Sequence, residues 1–278
     1  MKKKFNNKEI NSYLKSFNYS KRLNKKVLTN QIDNVWNYYN LSNDNLENLS
    51  YFYSHPVWIL NGLWTFENYN SRLHRLHVVK YVKKIFNNKK IRVADYGGGA
   101  GSLGKLFCNH YKNLSTFHII EPYPFKFFLK KLAKIKKLKF KKKIKKNYYD
   151  VIVIQTVFEH VLNPLYELKK IIDNLKNEKI VIIGNDFYPI EKCHLKKNFY
   201  LRHTFNWIVS SMGLEYISTI KGCEYMCVYR VNKRNIRKNL ILKILVSKIF
   251  GPILNQYYEF KLFLKQNIYQ FYKKICIQ

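Results

Sequence analysis

Cysteine, arginine, acid and long apolar runs are all scarce in this sequence, and each scarcity excludes something. The five cysteines (Cys108, Cys193, Cys223, Cys227 and Cys276) are few, odd in number and scattered. That excludes a disulfide-stapled scaffold and points to a reduced, cytoplasmic chain. The longest uncharged runs fall short of the roughly 20 apolar residues that a membrane-spanning helix needs, so none is expected. The start, Met1-Lys2-Lys3-Lys4-Phe5-Asn6-Asn7, has no apolar stretch behind its lysines and does not read as a secretory signal. The 17 Asp+Glu stand against 51 Lys+Arg, a formal net charge of +34. Such a balance invites a nucleic-acid or anionic-membrane partner. Yet only 8 of the basic residues are Arg, whose planar fork reads phosphate and guanine in bidentate fashion. The 43 Lys accompany 31 Asn and abundant Ile, Tyr and Phe, residues with A/T-rich codons, so most of the charge reads as solvated surface. With 47% hydrophobic and 17% aromatic residues in a chain of 278, a sizeable core is expected and wholesale disorder is excluded.

Three segments follow from the patterning: a helical N-terminal cap over 1–71, a core over 72–232 and a basic helical tail over 233–278. Leu73, Leu76, Val79 and Val82 recur at helical spacing and predict a helix over Arg72–Phe86. Strand and helix then alternate. Strands are predicted at Ile91–Ala94, Thr116–Ile120, Leu138–Ile144, Val151–Ile154 and Lys179–Ile183, with helices at Ser102–Tyr111, Phe125–Lys137, from Pro164, and at Thr204–Met212. Two last strands, Leu214–Ile220 and Glu224–Val231, are separated only by Lys221-Gly222-Cys223 and read as an antiparallel hairpin. The pattern predicts an α/β fold, doubly wound, with a mostly parallel sheet and an antiparallel C-terminal edge.

The informative stretch is Asp95-Tyr96-Gly97-Gly98-Gly99-Ala100-Gly101-Ser102-Leu103-Gly104, a glycine-rich turn between a buried strand and a helix. Glycines let the backbone turn tightly and approach a ligand closely, and the helix start offers free N–H groups. Gly99 to Gly104 satisfies the dinucleotide pattern G-x-G-x-x-G, with Glu121 17 residues beyond as a ribose acid. An NAD-binding oxidoreductase is therefore one rival. The fuller pattern, Asp95-x-Gly97-x-Gly99-x-Gly101, resembles motif I of class I S-adenosylmethionine-dependent methyltransferases. Glu121 ending the second strand, and Asp150 leading Val151–Ile154 into Gln155, Glu159-His160-Val161 and Asn163-Pro164, resemble that family too. So does the Cys193-His194-Leu195 loop followed by a helix and Gly213. The resemblance covers roughly residues 72–231. It implies a Rossmann-like, seven-stranded sheet and S-adenosyl-L-methionine as cofactor, held by Asp95, Tyr96, Gly97, Gly98, Gly99, Gly101, Glu121 and Gln155. The Lys130–Lys146 segment departs from the pattern: it carries eleven Lys and no acid, where relatives often place an adenine-contacting acidic or small polar residue. Backbone N–H groups or Tyr148 would then meet the adenine, or the chain is a non-catalytic member.

Methyl transfer is an in-line displacement that needs alignment and, for a hydroxyl acceptor, a proton acceptor. His160, just past the carboxyl end of the fourth strand, is the first candidate base; His194 and His203 are the others. His74 and His77 lack a third ligand, and no metal site is expected. The aromatics Tyr51, Phe52, Tyr53, Trp58, Trp64, Phe66 and Tyr69 suit either a lid over a ring or sugar, or core filling. In the tail, Gly251-Pro252 predicts a break into two helices. Its ten basic residues and one acid, interleaved with apolar side chains, suit peripheral contact with an anionic membrane at its inner face, or packing on the core or on a second subunit. The expected activity is methylation of a small molecule, a hydroxyl of a sugar, glycan precursor or lipid-linked ring. An RNA methyltransferase is the enzymatic rival, although no Asn-Pro-Pro-Tyr-type motif or RNA-binding module is present.

Overall fold

A computed structural model describes residues 5–17, 24–236 and 239–275, with side chains as far as Leu264. Seven strands form one sheet: β1 (Ile91–Tyr96), β2 (Leu114–Ile120), β3 (Leu138–Lys141), β4 (Val151–Gln155), β5 (Ile180–Gly184), β6 (Leu214–Ile220) and β7 (Cys223–Val231). Their order is β3-β2-β1-β4-β5-β7-β6. The first five are parallel, and β7 runs antiparallel between β5 and β6. Val151, Ile152, Val153 and Ile154 are all fully buried, because helices cover both faces of the sheet. The strand order reverses between β1 and β4, and such a switch point opens a crevice at the carboxyl ends of the strands.

Two elements depart from the sequence pattern. The helix expected over Phe125–Lys137 stops early, spanning Lys126–Leu132. Lys130, Lys131, Lys134 and Lys137 would repel one another at helical spacing, and the Lys137 carbonyl is instead taken by the N–H of Phe117 at 2.8 Å. The tail, expected as two helices, is one helix over Leu240–Ile275 that continues through Pro252. Contacts on both sides of Pro252 outweigh its missing N–H. Gly251 lies so close to the Tyr200 backbone that a Cβ would collide with the carbonyl oxygen. One turn later Asn255 Nδ2 donates to the Phe199 carbonyl at 3.0 Å.

The N-terminal helices Asn7–Ser16, Lys25–Tyr38, Leu49–Tyr53 and Val57–Glu67 build their own apolar cluster around Leu28, Trp36, Phe52 and Leu60. That cluster also includes Ala100 of the glycine-rich turn, Phe128, Cys193 and Leu195. The cap is thus packed on the mouth of the crevice. Gly62 marks the closest approach, where a Cβ would sit 2.6 Å from that of Ala100.

Candidate active site

β1 delivers Asp95 and Tyr96 into the glycine-rich turn. Gly97 and Gly101 adopt φ of +68° and +80°, the left-handed region that other residues enter at a cost. Gly97 backs onto Val157, whose Cγ2 would lie 2.6 Å from an added Cβ. Gly99, also left-handed at φ +48°, points into open space with nothing within 4 Å. Its N–H donates to Glu121 Oε2 at 3.1 Å, and the Tyr123 N–H donates to Oε1 at 3.0 Å. One carboxylate at the end of β2 therefore pins the turn after β1.

The turn opens on a cavity of about 1370 Å³. Asp95, Glu121, Glu159, Glu167, Asp186 and Glu191 line it, six of the chain's 17 acids, against five of its 51 basic residues. Acids are thus concentrated in the cavity relative to the chain as a whole, which leaves room for a cationic guest. Asp95 lies at its floor, only 5% exposed. Burial pushes the Asp95 carboxyl up to about 7, against the pull of the nearby Arg75 guanidinium and with the push of Glu121. Arg75 is fixed by donating to the Ser71 carbonyl at 3.0 Å and to the Ser71 hydroxyl.

Gln155 Nε2 donates to the Tyr225 hydroxyl, and Thr156 leaves β4 at φ +51°, a strained conformation typical of functional sites. Glu159 is fully buried; its Oε1 accepts from the Asp186 N–H at 3.1 Å. The His160 and His194 rings meet edge to face at 4.7 Å between centroids, with Trp58 6.3 Å and Tyr53 6.5 Å from His160. Burial, with repulsion from His194, drives the His160 imidazole down to about 3; it is neutral but weakly basic. Burial raises the Glu159 carboxyl to about 8.

Asp95, Tyr96, Gly97, Gly98, Gly99, Glu121, Gln155, His160 and His194 all line this single cavity. Gly101 lies beneath it against Ile119 and Leu132. The Tyr96 hydroxyl is directed at Glu167 Oε2, 2.9 Å away. His203 is elsewhere, stacked on Tyr258 of the tail at 4.1 Å. Tyr148 stacks on His118, away from the cavity wall, which Lys142 and Lys143 line instead. The aromatics divide: Phe52 is core, whereas Tyr53, Trp58 and Trp64 face the cavity. Sequence reasoning missed Arg75, Glu159 as a cavity acid, and Tyr225. Arg75 follows His74 on a helix whose inward face was read only from its aliphatic residues.

Residues 68–187 match the family model of a methyltransferase domain. No curated protein matches the sequence. Among solved structures, the CurJ carbon methyltransferase is similar with a TM-score of 0.56 at 12% identity, over 83% of this chain and 72% of that one. A SAM-dependent methyltransferase from Aquifex aeolicus is 17% identical over 62% of this chain and 96% of its own, with a TM-score of 0.45. The mitomycin 7-O-methyltransferase MmcR is 15% identical over 64% and 62%, with a TM-score of 0.44. Residues 68–187 thus carry a methyltransferase domain on a Rossmann-like sheet, and such a domain implies S-adenosylmethionine as the methyl donor.

The residues fit that cofactor. The cavity acids would suit its ammonium and sulfonium charges, the open face of Gly99 leaves room for a close approach, and Glu121, held by the Gly99 and Tyr123 N–H groups, would be the acid to accept from ribose hydroxyls. Gly99→Val tests the fit, because a branched side chain would fill the open space and resist φ +48°. Calorimetry is expected to show saturable S-adenosylhomocysteine binding by the wild type and at least a hundredfold loss in the variant, with NADH silent toward both.

Proposed function

We propose that the chain is an S-adenosylmethionine-dependent methyltransferase that methylates a hydroxyl of a small molecule: a sugar, a glycan precursor or a lipid-linked ring. One observation carries the reading. The Tyr53 hydroxyl, Trp58 Nε1 and Glu159 Oε2 are buried without a hydrogen-bond partner among the described residues, and all three residues line the same cavity. Leaving a buried polar atom unpaired costs about 1–3 kcal/mol, so three on one wall favour a guest with several hydrogen-bonding groups. The aromatic faces of Tyr53, Trp58 and Trp64 suit the flat face of a ring or sugar.

The cofactor supplies an electrophilic methyl carbon on its sulfonium. The chain's own part is alignment. The glycine-rich turn and Glu121 orient the donor, and the cap helices hold the acceptor and exclude water. With donor and acceptor bound, the acceptor oxygen would bond to the methyl carbon as the carbon–sulfur bond broke with its electron pair left on sulfur, and the hydroxyl proton would have to depart. His160 and His194 line this cavity, each with Nδ1 turned to a backbone carbonyl and Nε2 left to meet that proton.

Methyl-labelled cofactor incubated with sugar, glycan-precursor and lipid-linked phenol acceptors tests the reading. Label is expected as an alkali-stable methyl ether. Tyr53→Phe is expected to raise the acceptor KM about tenfold, the worth of roughly one hydrogen bond, while S-adenosylhomocysteine affinity stays unchanged. Label recovered in RNA, or an acceptor KM indifferent to Tyr53, would contradict it.

A further inference from the structure

We propose that Glu159, His160 and His194 bind one divalent transition-metal ion at the acceptor end of the cavity. Each offers one ligand atom, and the three atoms lie within 4.8 Å of one another. Glu159 Oε2 is buried and unpartnered, while Oε1 is held by the Asp186 N–H. His160 Nδ1 faces the Cys193 carbonyl at 3.3 Å, and His194 Nδ1 faces the Tyr188 carbonyl at 2.6 Å. A carbonyl only accepts, so both histidines carry their proton on Nδ1 and keep the Nε2 lone pair free. Backbone acceptors hold the ring orientation of metal-ligating histidines in this way. Two imidazoles and one carboxylate suit manganese, iron, cobalt or zinc better than magnesium or calcium. Metal–ligand bonds of about 2.1 Å require the three side chains to close by several tenths of an ångström.

The ion's role rests on the methyl-transfer reading; its binding does not. Coordination of an acceptor hydroxyl would lower that hydroxyl's pKa and release its proton to water. The oxygen lone pair then forms the bond to the methyl carbon as the carbon–sulfur bond breaks. With the ion in place, His160 and His194 would give Nε2 to the metal, and the proton would leave to water instead of to either ring.

The test uses the full chain, stripped with chelator and titrated separately with Co²⁺ and Mn²⁺, with S-adenosylhomocysteine binding measured on the same sample. One equivalent of metal is expected. Glu159→Gln and His194→Gln should each weaken it at least tenfold, and His77→Gln should leave it unchanged. The wild-type Co²⁺ spectrum should show nitrogen and oxygen ligation, a readout that survives if a variant fails to fold. Absent or sub-stoichiometric binding by protein that binds S-adenosylhomocysteine, a spectrum of fully hydrated Co²⁺, or equal affinity in folded variants would overturn the site. Failure of S-adenosylhomocysteine to bind would instead strike the methyltransferase reading.

The tail helix carries an independent feature: it is inside out. Its polar and small residues, four apart, face the catalytic core. Lys243 Nζ donates to the Trp207 carbonyl at 2.8 Å, Ser247 is fully buried, and Gly251 lies on Tyr200. Asn255 bonds Phe199, and Glu259 pairs with Arg202 at 3.1 Å. Leu242, Leu245, Ile249, Ile253 and Phe260 face outward, each more than half exposed. They recur at steps of three, four, four and seven residues, one face of the helix.

We propose that this face lies on an anionic lipid surface. Exposed Lys248 and Lys261 flank the apolar stripe, as in helices that rest in the headgroup layer. A charge of +34 attracts anionic lipid and opposes a second copy of the chain. No helix among the described residues is long and apolar enough to cross a membrane. The full chain is expected to sediment with vesicles containing phosphatidylglycerol at least tenfold more tightly than with phosphatidylcholine alone. The combined Leu242→Ser, Ile249→Ser and Phe260→Ser variant should lose that binding and keep S-adenosylhomocysteine affinity. No vesicle binding, or a dimer in light scattering that this variant dissociates, would overturn the assignment.

Discussion

A carboxylate buried at the end of β1 is the constraint around which the crevice is arranged. Asp95 sits at the switch point of the sheet, nearly shut off from water and repelled by Glu121. Burying an ionised carboxylate is unfavourable unless a positive charge accompanies it. Arg75 supplies part of that charge, and a cationic ligand would supply the rest. The same logic extends along the cavity, where six acids gather in a chain otherwise dominated by lysine. The surplus of positive charge is a property of the exterior, and in the cavity acids and bases come close to parity.

The cap completes the arrangement by burying polar atoms it does not satisfy. Tyr53 and Trp58 belong to helices whose apolar cluster reaches Ala100 in the glycine-rich turn. Packing of the cap and presentation of an acceptor wall are thus one interaction. A change in the cap core would be felt at both the donor and the acceptor ends.

Much of this was legible in the sequence because the signals are local. The glycine-rich turn, Glu121 ending β2, the buried run Val151–Ile154 and Gly213 closing a helix, here with φ +88°, all follow from short-range patterning. What escaped depends on long-range packing. Pro252 obeys no helix-breaking rule once Gly251 and Asn255 are anchored on residues 199–200. His203, placed by sequence over the acceptor pocket, is claimed by Tyr258 some 55 residues away. Arg75 is an ordinary polar residue in the sequence, and Glu159 stood out there only as part of a motif; burial is what makes both of them cavity charges. The tail's amphipathicity was visible, but not that its polar side would be the one to dock.

The reading requires a cationic group of the cofactor to offset the buried Asp95 carboxylate; we propose that its amino group does so, and the most direct measurement is S-adenosylhomocysteine affinity against pH. With the free carboxyl near 7, ionisation must precede pairing, while the ligand's amino group stays protonated in this range. Affinity should be flat above pH 8 and fall about tenfold per unit well below 7. Asp95→Asn should bind weakly and without that slope. An equally steep slope in Asp95→Asn, or affinity constant from pH 5 to 8 in the wild type, would contradict it.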